Sequence, residues 1–398
     1  MSETKYPIYF PSFSSLKGYM KSEREVAPGL LYRFYDDNYP EEYRHKYFLI
    51  TAGDLYKKLD FREKHFMDNG TLVFGDSGGF QIANGTLDWN EELLHQIFQF
   101  LETNSDVAMN LDIPPRMKYL GKFQECLDIS VKNFKYFAEN QTGKTKFLNV
   151  LQNEKDEYGM KEWYDKVKDF EFNGWGVGGT VVTFYNSLYT LALLLQNREF
   201  EKKSCQYYHF LGATSLVNFF VYAFMQKNFN KYYPHVQVST DSSTPIKYAI
   251  YGQWIYGMDL TKLIYSWIYM SKKHKYVAGR PLPCTYKDGG CAVCSRIDFD
   301  DFINPKTSSE LIYQQGYHNT FMFKKIMREV NELAYCNVEL LETLIPKDFY
   351  KLLKSIDEMF EKPENALRIF EKYKPLYLKY TSLADERVEK DVMEDFFE

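Results

Sequence analysis

A short apolar run, a polar or glycine-bearing end, and then a stretch with helical spacing recur from about residue 45 to residue 270. The apolar runs cover residues 47–51, 72–75, 107–111, 147–151, 174–177, 208–211 and 236–239. Their spacing of roughly 25 to 40 residues is that of a strand, a helix and two connections. Between residues 90 and 102, Leu93, Leu94, Ile97, Phe98 and Leu101 fall on one helical face. This predicts an amphipathic helix, with Asp88 as its N-cap and Glu91 three residues on. Seven predicted strands alternating with helices suggest an α/β fold, a (β/α)8 TIM barrel whose eighth strand is expected within residues 275–282. Periodicity does not separate a closed barrel from an open doubly wound sheet, and that alternative stays open here.

The strand ends carry the chemistry. Asp76 follows run 72–75, Asp112 follows run 107–111, and Gln152 follows run 147–151. Gly178 and Gly179 follow run 174–177, Leu211 closes run 208–211, and Asp241 follows residues 236–240. In a parallel barrel these ends converge on the face where the loops build the active site. Strand ends are polar in any case, but three acids, an amide and a glycine pair together point to a site. After residue 280 the pattern weakens, and residues 318–380 read as helices, including 320–333 and 349–360. The acidic tail, 385–398, is expected in solvent. The expected organisation is a barrel over residues 1–283, a metal-binding subdomain over 284–318, and a last barrel helix with a helical extension over 319–398.

With 398 residues, 45% hydrophobic and 26% charged, the chain can bury a large core and lacks the signature of disorder. No apolar run approaches the length of a membrane span, and the first residues do not resemble a signal peptide, so a cytoplasmic protein is expected. The net charge of −5 provides no global basic field for nucleic acid, so any such binding needs a local patch. The densest basic run supplies Lys272, Lys273 and Lys275, with Arg280 nearby, as candidate backbone contacts; a solvated helix end is the alternative. Aromatics reach 18%, with compositional bias the plainer explanation.

Six cysteines in such a chain argue against a disulfide framework. Cys126, Cys205 and Cys336 read as buried free thiols. Cys291 and Cys294 form a C-x2-C knuckle that can present two thiolates to one ion, with Cys284 upstream and His318 downstream. A Cys3His set is typical of structural zinc, with no position left open for water.

These segments together resemble the tRNA-guanine transglycosylase superfamily, enzymes that exchange guanine for a 7-deazaguanine within a polynucleotide. The resemblance runs over residues 70–330. It rests on Asp76-Ser77-Gly78-Gly79-Phe80-Gln81, Leu111-Asp112-Ile113-Pro114-Pro115, Gln152, Gly178-Gly179, Thr240-Asp241-Ser242-Ser243-Thr244-Pro245, and the cysteines with His318. The family usually has a single residue between its first two cysteines, whereas here Cys284 and Cys291 lie further apart. The resemblance implies Asp241 as nucleophile, Asp76 as acid/base and Phe80 as a stacking face. It further implies a base-binding set of Asp112, Gln152, Gly178, Gly179 and Leu211, and a structural zinc ion. A retained configuration fits two inversions through a covalent Asp-glycosyl intermediate.

Two departures bear on the substrate. Pro245 is followed by Ile246-Lys247-Tyr248-Ala249, without the Arg that the bacterial tRNA enzymes place there. After the glycine pair, Thr180-Val181-Val182-Thr183-Phe184 holds no acid to meet an aminomethyl group, which suits a neutral nitrile such as 7-cyano-7-deazaguanine (preQ0). The chain therefore looks most like the DNA-guanine transglycosylases (DpdA type) of phages and bacterial modification clusters, whose product shields DNA from restriction enzymes. For a phage protein the compartment is the host cytoplasm, and dimers among relatives make a homodimer an expectation. The alternatives are the same exchange on tRNA, a non-catalytic partner subunit, and a barrel glycosidase acting on carbohydrate.

Overall fold

A computed structural model describes residues 5–12, 25–31, 33–37, 39, 41, 44–65, 67–68, 70–152, 157–178, 184–269, 291–296 and 308–393. Its strands are β1 (Ile8–Pro11), a small hairpin β2 (Glu25–Ala27) and β3 (Leu30–Leu31), then β4 (Tyr47–Thr51), β5 (Leu72–Asp76) and β6 (Val107–Met109). There follow β7 (Lys146–Leu151), β8 (Gly174–Val177), β9 (Tyr207–Phe210), β10 (Gln237–Ser242) and a second hairpin, β11 (Gln253–Asp259) with β12 (Ile264–Tyr269). Among the described residues eight strands form one parallel sheet in the order β1-β10-β9-β8-β7-β6-β5-β4. Ser12, just past β1, bridges in parallel to Leu49 of β4, so the sheet curls nearly shut. The barrel expected from the alternation is present, and the open sheet is not.

The eighth strand is a correction. It is β1, at the start of the chain, seated between β10 and β4, with Phe10 in register with Asp241. Residues 275–282, where it was expected, lie outside the described residues. The strand follows Pro7 and ends on Pro11, and proline supplies no N–H to a ladder, so it does not read as a barrel strand in the sequence. What holds it is the barrel interior. Phe10 is fully buried with its ring 5.0 Å from Phe74 of β5, and Phe74 stacks at 4.1 Å on His209 of β9.

The helix expected after residue 90 is Glu91–Asn104, buried through Leu93, Leu94, Ile97 and Leu101. Its cap is Asn90, not Asp88: the Asn90 side chain accepts from the Leu93 N–H at 2.8 Å, while Asp88 pairs with Lys118. Asn90 wins because it is the extended residue directly before the first helical one, the position from which a short side chain reaches that amide. The helices expected at 320–333 and 349–360 lie within Ser308–Cys336 and Lys347–Glu361, and Ala366–Met393 follows. The side chains of the acidic tail lie outside the described residues.

The C-terminal helices cover two barrel helices, Phe184–Gln196 and Leu216–Tyr232. Phe370 packs on Tyr185 and Tyr189, Phe360 on Phe229, and Asn228 donates to Asp357 at 2.7 Å. Every residue from Phe184 to Leu195 is consequently buried, as an apolar helix without a polar face requires. Cys126 and Cys205 are buried thiols as expected, but Cys336, the last residue of helix Ser308–Cys336, is exposed. Among the described residues no helix is long and apolar enough to cross a membrane.

If β1 is a stave of the barrel, Phe10→Ala should lower the unfolding free energy by about 3–5 kcal/mol, the range for emptying a large core site. Urea unfolding checks this, and a loss of less than about 1 kcal/mol would mean that β1 is peripheral.

Candidate active site

Asp76 is the last residue of β5 and lies in register with Thr51, the last of β4. The Thr51 hydroxyl and the Gly78 N–H, at 3.2 Å, both donate to its carboxyl. The second bond depends on glycine. Gly78 has φ of 89°, and a Cβ there would come within 2.6 Å of the Gly53 backbone. Burial raises the Asp76 carboxyl to about 7, and the charges of Asp241 and Asp112 push the same way, against the two donors. Phe80 follows in the short helix Gly79–Ala83 and is 53% exposed, so it is a free aromatic face and not core packing.

Asp112 stands beyond the end of β6, and helix Phe123–Asn140 fixes the backbone on both sides of it. Asn133 donates to the Leu111 carbonyl at 3.1 Å, and Ser130 accepts from the Ile113 N–H at 2.9 Å. The Asp112 side chain is buried and accepts from Gln152 Nε2 at 2.6 Å. Burial raises its carboxyl to about 6, opposed by the Gln152 bond and by the Arg116 guanidinium. With no helix starting at Asp112, a capping role is excluded. Gln152 directly follows β7 and lies across Gly178, where a Cβ would meet its amide nitrogen at 2.2 Å. Only glycine leaves room for that amide. One N–H of Gln152 goes to Asp112, and its buried Oε1 has no hydrogen-bond partner.

Asp241 sits near the end of β10 with its side chain 14% exposed. Its Oδ1 accepts from the Gly212 N–H at 3.0 Å and meets His209 Nε2 at 3.1 Å. His209 is fully buried, with Nδ1 2.9 Å from Ser239 Oγ, and burial holds its imidazole below the ordinary pKa. Leu211, half-buried between His209 and Gly212, bonds through its N–H to the Val177 carbonyl and keeps the end of β9 beside β8. Sequence reasoning missed His209. The available signal was a histidine inside the aromatic strand Tyr207-Tyr208-His209-Phe210, on the face that alternation turns toward the barrel interior. The structure thus brings Asp76, Asp112, Gln152, Gly178, Leu211 and Asp241 to one mouth of the barrel.

A second cluster lies beyond β10. Ligand atoms of Cys291, Cys294 and His318 all fall within 4.8 Å of one another, close enough to hold a metal ion. His318 Nδ1 is 3.6 Å from Cys291 Sγ and 3.2 Å from Cys294 Sγ, near the roughly 3.6 Å between S and N ligands of a tetrahedral ion. Its Nε2 lies 2.8 Å from the Ile255 carbonyl, which places the ring hydrogen on Nε2 and turns the Nδ1 lone pair toward the thiols. The Cys294 N–H points at Cys291 Sγ at 3.3 Å, the usual knuckle arrangement. The next residue, Asn319, donates to the Pro245 and Gln253 carbonyls, both at 3.0 Å, and accepts from the Ile255 N–H. This cluster is thereby tied to the segment that carries Asp241. Asn319 gave no signal in the sequence. Cys284, Gly179, Lys272, Lys273, Lys275 and Arg280 lie outside the described residues.

A scan against protein-family models finds no match to this chain, and neither does a search of curated proteins.

The raised carboxyl of Asp76 has a consequence for stability. The folded chain keeps a proton that the unfolded chain releases between pH 4 and 7, so stability falls as pH rises through that window. Asp76→Asn should therefore be more stable than the wild type by about 1–3 kcal/mol at pH 8, with the difference vanishing near pH 4. Melting curves across this range check it, and a difference that grows toward acid would contradict the assignment.

Proposed function

We propose that this chain exchanges guanine in DNA for a 7-deazaguanine, 7-cyano-7-deazaguanine fitting best. The observation that carries the reading is Asp241: a partly exposed carboxylate held through one oxygen, whose charge is felt by Asp76, which also feels that of Asp112 in the Asp112–Gln152 pair. Attack by Asp241 on C1′ of the sugar expels guanine and leaves an ester of Asp241 with the sugar. Asp76, with its carboxyl near neutrality, is suited to give the departing base a proton and to take one from the incoming base. The Asp241 ester is then displaced by N9 of the new base, and two inversions restore the original configuration.

Recognition follows from the remaining groups. Asp112 accepts from N1–H and the exocyclic amine, the edge that guanine and 7-deazaguanines share. The second N–H of Gln152 is available for O6, and Gly178 gives that amide its place. Phe80 supplies an exposed ring on which the base can stack. A carbohydrate glycosidase would need the carboxylates but not the Asp112–Gln152 edge, so the base exchange is the better reading. DNA is preferred to tRNA because Ile246-Lys247 replaces the anticodon-reading Arg segment, and a duplex target would have to be flipped out or melted. Cys291, Cys294 and His318, with Cys284 as the fourth ligand, fit a structural zinc ion that braces the Asp241 segment through Asn319.

In cells expressing the chain with a preQ0 supply, nucleoside mass spectrometry should find a deazaguanine in DNA. Its appearance in tRNA alone would shift the reading to the tRNA enzymes. Asp241→Ala should reduce exchange at least about 10³-fold with the fold intact. Retention of a tenth of the wild-type rate would exclude Asp241 as nucleophile. Elemental analysis should return one zinc per chain, lost in Cys294→Ser together with several degrees of melting temperature.

A further inference from the structure

We infer that Asp241 attacks through Oδ2, and that His209 is a positioning residue which, with the Gly212 N–H, holds Oδ1 as the non-reacting oxygen in both halves of the exchange. This rests on the transglycosylase reading above and assigns roles within it. Both contacts to the Asp241 carboxylate fall on Oδ1, and Oδ2 accepts no hydrogen bond from the described residues. A carboxylate gripped at one oxygen cannot spin about its Cβ–Cγ bond, so its other oxygen keeps a fixed direction.

The direction of the His209 bond follows from its other nitrogen. Ser239 Oγ is fully buried 2.9 Å from Nδ1, and its hydroxyl can donate there. If Nδ1 carried the hydrogen instead, the Nε2 lone pair would face Asp241 Oδ1 at 3.1 Å, two acceptors in contact. The consistent arrangement is Ser239 O–H to Nδ1 and Nε2–H to Oδ1. Stacking on Phe74 at 4.1 Å fixes the plane of the ring, and burial keeps the imidazole neutral.

The consequence differs between the two half-reactions. In the first, an Oδ2 lone pair forms the bond to C1′, and the C1′–N9 pair leaves with guanine, which takes the Asp76 proton. Oδ1 is then the carbonyl oxygen of an ester. In the second, the incoming base gives its N9 proton to Asp76 and its electron pair to C1′, and the C1′–Oδ2 pair returns to Asp241. Negative charge reappears on the carboxylate just where His209 Nε2–H and Gly212 N–H wait, so the two donors stabilise Asp241 as a leaving group.

The test uses the full chain, a guanine-containing single-stranded DNA oligonucleotide and labelled guanine. His209→Phe keeps a ring over Phe74 but removes the donor, whereas His209→Gln keeps an N–H. For His209→Phe, kcat should fall about 30- to 100-fold with KM nearly unchanged, and the trapped DNA adduct should resolve more slowly by a similar factor when guanine is added. His209→Gln should recover most of that loss, and Ser239→Ala should lose a few-fold by freeing the tautomer. Exchange by His209→Phe within threefold of wild type, or an adduct that resolves at the wild-type rate, would overturn the role. Nitrogen NMR of His209 in the unmodified chain gives a readout apart from activity. An Nε2–H tautomer at neutral pH is expected, and an Nδ1–H tautomer refutes the inference even in an active enzyme. Wild-type protein that exchanges no guanine in DNA or tRNA would instead defeat the transglycosylase reading, and the assignment of the reacting oxygen with it.

Discussion

Parallel closure of the sheet is the constraint on which the molecule depends. Because all eight barrel strands run the same way, their C-terminal ends arrive at one rim, and residues far apart in the chain become neighbours. Closure is completed by β1, wedged between β10 and β4. Its register levels Phe10 with Asp241, as the β4–β5 register levels Thr51 with Asp76. The carboxyl groups stand at the mouth because the ladders set their height, and Phe10, Phe74 and His209 fill the space below them.

Three carboxyl groups in one enclosed mouth repel, and the surroundings treat each differently. Asp76 and Asp112 are desolvated strongly enough to hold protons toward neutral pH, despite a glycine amide and a threonine hydroxyl on one and a glutamine amide on the other. Asp241 meets a backbone N–H and a buried histidine on a single oxygen. In the reading proposed above, these different surroundings distinguish the proton carrier, Asp76, from the nucleophile, Asp241. The unpaired Oε1 of Gln152 belongs to the same logic, since an unsatisfied buried acceptor is costly unless a ligand supplies its donor.

Outside the barrel, the Cys291–Cys294–His318 cluster and the C-terminal helices do a different job. Helix Ser308–Cys336 carries His318 and Asn319 side by side, one facing the thiols and the other holding Pro245 and Gln253. Neighbouring residues of one helix turn thus join the cluster to the helix and strand that follow Asp241. The later helices bury the apolar outer surfaces of Phe184–Gln196 and Leu216–Tyr232, which a bare barrel would expose to water.

The chain by itself determined the features written in local spacing. Alternating apolar runs and helical faces marked seven of the eight barrel strands, and Asp76, Asp112, Gln152, Gly178 and Asp241 were visible as polar or small residues at run ends. The C-x2-C knuckle announced its ligands, and His318 was its nearest downstream imidazole. Tertiary structure decided what depends on distant partners. A four-residue segment that follows one proline and ends on another is a strand only because β10 and β4 hold it, and His209 reads as one more ring until Asp241 is beside it. Asn319 gains its role from carbonyls more than sixty residues away, and Cys336 stands exposed at the end of its helix. Local pattern reports which face of an element is apolar. Which residue meets it across the barrel is set by closure, a property that no window of sequence contains.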